Sequence, residues 1–261
     1  MSNPWDLYDQ LIAGVPEGPC VTEYCLGTHW SYVQAECGMG VAFTTSGGTP
    51  RKNFEDFRGR PVKEVAQLAK SWCFEEASLG IAALNAWYAH RDRLSALTTH
   101  YEQPEDDPAA GGRLGMKLDA FDLYRPRIEA QGNANVVVVG HFPHVTNIAD
   151  YANLTVLERK CSDEWDTPDP ACEYVMPQAD YAFITGVTII NKTCPRLLQL
   201  AENAHVVMVG PSVVMSPIMF DYGVETLAGS VVSDPEAAKF GVMNGKGKFF
   251  GKALEMMYVT K

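Results

Sequence analysis

The sequence predicts an α/β protein in two parts: a small α+β unit built on an antiparallel meander, then a larger unit with a parallel sheet and flanking helices. Three observations carry the prediction. Asn135-Val136-Val137-Val138-Val139 is a short run with no polar face, as a strand buried on both sides in a parallel sheet requires. Gly140 breaks that strand and Pro143 is placed to begin a helix, because proline is tolerated where no intrahelical N–H is needed. Between Cys20 and Thr45 the period changes to two, the spacing of strands with one face in water.

Taken in order, Pro4 to Ala13 places Trp5, Tyr8, Leu11 and Ile12 on one helical stripe ended by Gly14. Val21–Leu26, Trp30–Ala35 and Gly40–Thr44 read as three strands joined by gaps of hairpin length. Ser46 to Arg60 reads as a loop. Pro61 opens a helix to Lys70, and Ser71 to His90 forms a longer one. On that helix Ala77, Gly80, Ile81 and Leu84 make a stripe suited to close packing. Tyr101 to Gly112 is polar, contains prolines and ends in glycines, which marks a linker. It divides the chain into residues 1–108 and 109–261.

After the linker five strands are expected: Asn135–Gly140, Leu154–Glu158, Tyr181–Gly186, Val206–Ser212 and Leu227–Val232. Helical segments fit between them, most clearly Pro195 to Asn203. That alternation implies parallel strands with right-handed crossovers. Ligands of such sheets collect at the carboxyl ends of the strands, which places a site around Gly140.

Composition narrows the function. The chain has 261 residues, 46% hydrophobic and 20% charged, with a net charge of −11. That acidity argues against nucleic-acid and anionic-membrane partners, and no run is long and apolar enough to span a bilayer. The polar N-terminus does not read as a signal peptide, so a cytoplasmic location is expected. Seven scattered cysteines without a C-x-x-C pair read as free thiols of a reducing compartment. A homodimer is the default expectation for assembly.

Candidate ligand-binding residues lie at the strand ends. Gly140-His141-Phe142-Pro143 occupies the position of a dinucleotide-binding glycine loop but lacks its G-x-G-x-x-G pattern. Glu158, eighteen residues beyond Gly140, matches the ribose-binding acid of such proteins, which keeps NAD or S-adenosylmethionine as an alternative cofactor. His141 and His144, three apart at an expected helix start, suit a transition metal together with Glu158, with Cys161 and Cys172 as soft partners. Lining or capping a crevice is the ordinary job of either histidine alone. Thr185-Gly186 and Gly210-Pro211-Ser212 offer hydroxyls and backbone N–H groups to an anion, although turns need such residues anyway. Local backbone bonding is the expected job of Asn191. In the first unit, Asn85 on an apolar helix is either a buried amide or a residue facing the cleft.

These short motifs, with Ile184-Thr185-Gly186, Asn191-Lys192-Thr193 and Leu227-Ala228-Gly229, resemble one family: the heavy-metal-chelation domain of unknown function found in bacteria and archaea. Gly27-Thr28-His29-Trp30-Ser31 and Gly80 to Ala86 resemble the companion domain that precedes it. The resemblance implies a Rossmann-like second domain, a first domain similar to the N-terminal domain of enolases, and an active site between them. It also suggests a link to anaerobic cobalamin synthesis. The expected site has His141, Glu158 and Thr185 as its floor, with Gly140, Phe142, Pro143, Gly186, Asn191, Gly210, Pro211, Ser212 and Gly229 as further ligand-binding candidates and Asn85 and His29 reaching in from the first domain. The expected ligand is a metal ion or a metal-bearing small molecule; a nucleotide-cofactor enzyme and a non-catalytic carrier are the alternatives.

Overall fold

The computed structural model describes residues 3–97, 120–248 and 251–261. The expected linker at 101–112 and the boundary at 108/109 lie outside the described residues.

The first unit begins with helix α1 (Trp5–Ala13), which buries Leu7, Tyr8, Leu11 and Ile12. Strands β1 (Val21–Leu26), β2 (Trp30–Ala35) and β3 (Gly38–Phe43) pair antiparallel in that order, as the two-residue period predicts. The expected helix from Pro61 to Lys70 is α2 (Val62–Ala66), tightening into a 3₁₀ turn over Gln67–Lys70. Helix α3 (Phe74–Tyr88) then crosses behind the meander, buried almost all round. A Cβ on Gly40 would lie 2.2 Å from both the Ala82 oxygen and the Ala86 nitrogen. Glycine is what lets β3 touch the α3 backbone there. Helix α4 (Arg91–Leu97) follows.

In the second unit, α5 (Ala120–Gln131) leads into β4 (Asn135–Val139). Then come β5 (Asn153–Glu158), β6 (Asp166–Pro168), β7 (Tyr181–Thr185), β8 (His205–Val209), β9 (Val224–Val232) and β10 (Leu254–Thr260). The sheet order is β10-β9-β8-β7-β4-β5-β6, parallel except that β10 runs antiparallel to β9. The four valines of β4 are all buried, with a parallel neighbour on each side. Helices α6 (Cys172–Val175), α7 (Val187–Ile190), α8 (Cys194–Leu200), α9 (Ile218–Asp221) and α10 (Pro235–Met243) complete the unit.

Two expectations are corrected. Sequence periodicity did not reveal β6, which has three residues, or β10. Pro143 starts no α-helix: Val145–Asp150 is a 3₁₀ helix, and His144 before it is left-handed at φ 64°. His141 and His144 therefore sit on a loop, without the helix dipole that motivated pairing them.

The two units share one hydrophobic core, in which Leu7, Ala82 and Leu84 join Ile189, Val214 and Met215. Polar ties cross the same contact. The Tyr8 hydroxyl donates to the Ile189 carbonyl at 2.7 Å, and the Phe43 N–H donates to Ser212 Oγ at 2.8 Å.

Candidate functional site

In the larger sheet the chain runs outward from β4 in one direction to β5 and β6, and in the other to β7, β8 and β9. Such a reversal leaves a crevice outside the carboxyl ends of the two strands that flank it, here β4 and β7. Gly140 makes the turn after β4 at φ 101°, and a Cβ there would come within 3.1–3.2 Å of the Thr185 side chain. A cavity of about 930 Å³ opens at this point. Its floor is the ends of β4, β5 and β7, with Gly140, Glu158 and Thr185. Its other wall comes from the first unit: Thr28 and His29 of the β1–β2 turn, and Phe43 to Ser46 at the end of β3. A second cavity, of about 490 Å³, lies between the β2–β3 turn and the ends of α3 and β9, and reaches none of those strand ends.

Local hydrogen bonds fix the lining. Glu158 Oε1 accepts the Lys160 N–H at 3.1 Å and holds the turn after β5. The Thr188 hydroxyl donates to the Thr185 carbonyl at 2.7 Å. Asn191 Oδ1 accepts the N–H of Thr193 at 3.1 Å and its hydroxyl at 2.7 Å, the local job expected of it. Arg159 pairs with Asp169 at 2.8 Å. Next to this wall Lys192 adopts φ 71°, and its ammonium donates to the Ile190 carbonyl at 2.6 Å. Burial lowers its pKa to about 8.

Of the expected site residues, Gly140, Glu158, Thr185, Asn191 and His29 line the cavity together. The others are placed differently. Asn85 is buried, and its Nδ2 donates to the carbonyls of Val41 and Pro211 at 3.2 and 3.4 Å, so it ties the two units. Ser212 is occupied by the Phe43 N–H. Gly186 admits the Ser212–Val213 backbone, where a Cβ would clash at 2.3 Å. Gly229 makes room for the Met215 sulfur, and Gly210 turns the chain at φ 100°. Phe142 packs edge-on against Phe121 and its ring lies beside both Gly140 and Gly210. Pro143 and His144 are exposed.

His141 is also exposed, but it is not alone: its Nδ1 is 3.0 Å from Asp166 Oδ1. The Asp166 carboxylate has no exposed surface and also accepts the N–H groups of Ser162 (2.8 Å) and Asp163 (3.0 Å). These backbone bonds, opposed by desolvation and helped by His141, hold its pKa below the usual range. Asp166 escaped sequence analysis because it stands on a three-residue strand in a polar stretch. Thr44, Thr45 and Ser46 were also missed as cavity residues. Their run of hydroxyls after a strand was the available signal.

His29, Glu158, Asp169 and Cys172 all line the cavity, yet among the described residues no three His, Cys, Asp or Glu side chains converge closely enough to hold an ion. His141, His144 and Glu158, the expected set, do not converge in this structure. A closed, all-protein metal site of three or four ligands does not fit.

A three-stranded antiparallel meander set against a seven-stranded, mostly parallel sheet with flanking helices defines a two-part α/β protein. The chain belongs to the DUF364 family, described as "Putative heavy-metal chelation", whose model matches residues 119–259. A second model with the same description matches residues 8–88. A solved DUF364 protein of unknown function from Desulfitobacterium hafniense is 29% identical, with a TM-score of 0.87 and all of both chains covered. One from Pyrococcus horikoshii, 18% identical with a TM-score of 0.79 over 99% of each chain, shares the fold. An uncharacterized protein of Methanocaldococcus jannaschii is 26% identical over 87% of this chain and 85% of its own length.

Proposed function

We propose that the chain binds a metal-bearing small molecule in the cavity between its two units. The observation that carries this is the cavity of about 930 Å³, walled by both units at the ends of β4, β5 and β7. That volume is in the upper part of the range of roughly 300–1,000 Å³ typical of small-molecule sites and far exceeds what one ion needs. The scattered donors support the same conclusion. With no three of them converging, the metal must bring its own chelating ligand, and the protein adds one or two contacts from residues such as His29 and Glu158. The shared family description agrees with a metal in the cargo. A metal-bearing tetrapyrrole is one class that combines metal, size and polar rim. The proposal assigns binding and no reaction.

Native mass spectrometry of protein purified without oxygen or chelators tests it. The expected result is a non-covalent adduct containing both metal and organic mass, lost in the His29→Ala/Glu158→Ala double variant. An adduct equal to bare metal, or no adduct at all, overturns it.

A further inference from the structure

We infer that Asp166 is a positioning residue that locks His141 in the Nδ1–H tautomer, so that Nε2 presents a fixed lone pair beside the cavity as a ligand for an incoming metal chelate. The ligand role rests on the binding proposal above; the tautomer lock does not.

The geometry is specific. In the sheet β5 lies between β4 and β6, so the bond from His141, two residues past β4, to Asp166, on β6, spans the end of the intervening strand. Chain neighbours of both partners line the cavity: Gly140 precedes His141, and Asp169 closely follows Asp166. An ionised carboxylate only accepts hydrogen bonds, so a neutral imidazole facing it must carry its proton on Nδ1. Asp166 is itself fixed, because its second oxygen, Oδ2, takes the backbone N–H groups of Ser162 and Asp163. Among the described residues His141 Nε2 has no partner, and the ring is about two-fifths exposed. A buried carboxylate that orients one nitrogen and leaves the other free is the arrangement that fixes histidine ligands in metal sites.

The Asp166→Asn variant gives a sharp expectation. The new amide has one acceptor and one donor end, and two backbone donors compete with one imidazole for the acceptor. The oxygen stays with Ser162 and Asp163, so the NH₂ turns toward His141 Nδ1. That nitrogen must then accept, and the proton moves to Nε2, removing the lone pair.

Long-range ¹⁵N–¹H NMR reads ring tautomers directly, at a pH where imidazole is neutral and with no ligand present. His141→Gln assigns the signals among the six histidines. The wild type is expected to be mainly Nδ1–H and Asp166→Asn mainly Nε2–H. A wild type that is mainly Nε2–H overturns the lock by itself, even if the variant fails to fold, and so does a folded variant with unchanged tautomer. Titration with copper(II)–iminodiacetate, a chelate with open coordination positions, then tests the ligand role. Selective broadening of the His141 ring signals is expected, weakened at least threefold in the variant. A locked tautomer with no selective broadening leaves Asp166 as the tautomer lock and overturns the ligand role. Absence of the native adduct from the wild type, with the ring found in the expected tautomer, counts only against the binding proposal.

Discussion

Glu76 shows how a single side chain can shape the wall of a site it does not touch. It is buried on α3, and its carboxylate collects four donors: the N–H groups of Lys52 and Asn53 (both 2.7 Å), Asn53 Nδ2 (2.9 Å) and Ser71 Oγ (2.6 Å). These pin the loop that leaves the cavity at Ser46. Burial pushes the Glu76 pKa up, but the hydrogen bonds from Ser71, Asn53 and Lys52 outweigh it and leave the value below normal. A lowered carboxylate stabilises the fold above its unfolded pKa and loses that contribution as pH falls through the folded value. Glu76→Gln sets an NH₂ against donors and should cost about 1–3 kcal/mol in urea unfolding at pH 7. The gap from wild type should shrink below about pH 4.5. A variant as stable as wild type at pH 7 would show that the loop needs no carboxylate. Local sequence pattern does not single out Glu76, because three of its four donors belong to Lys52 and Asn53, more than twenty residues away.

At the scale of elements, what was legible followed from local pattern. The period of two marked β1 to β3, and the apolar runs marked β4, β5, β7, β8 and β9, because burial on one face or two writes itself into consecutive residues. The antiparallel β10 and the short β6 exist through pairing with a distant neighbour, which leaves little local trace. The site divides in the same way. Gly140, Glu158 and Thr185 stand at strand ends and could be placed from the sheet grammar, whereas Asp166 reaches His141 only through sheet order. Gly40 tests how firmly the elements are packed. An alanine Cβ there would meet only backbone atoms of α3, at 2.2–2.4 Å, and no flexible side-chain end can yield. Gly40→Ala should therefore push β3 off α3, with a loss of about 1–3 kcal/mol or more in thermal or urea unfolding. Gly18, which has nothing within 4 Å of its Cβ position, serves as the control expected to change little on substitution to alanine.

At the scale of the whole molecule the two units are joined through Lys192. Its ammonium belongs to the second unit but lies 5.7 Å from the Tyr8 ring centroid and 6.0 Å from that of Phe74, both in the first. Rings and the Ile190 carbonyl favour the charge, yet desolvation prevails and the pKa falls to about 8 from 10.5. Between these values the unfolded chain holds a proton that the folded chain has released, so this group makes stability rise with pH across that window. The thiols oppose it. Burial raises the pKa of Cys25, Cys37, Cys73, Cys172 and Cys194, so from about pH 8.5 the folded chain keeps protons that the unfolded chain loses. Total stability therefore cannot isolate Lys192, but the difference between wild type and Lys192→Met can. From pH 7.5 to 9.5 that difference should shift toward the wild type by about 1–2 kcal/mol, measured by urea unfolding under reducing conditions. A difference that stays flat across the window would mean that water reaches the ammonium, and that the contact between the units is looser beside the cavity than its shared core requires.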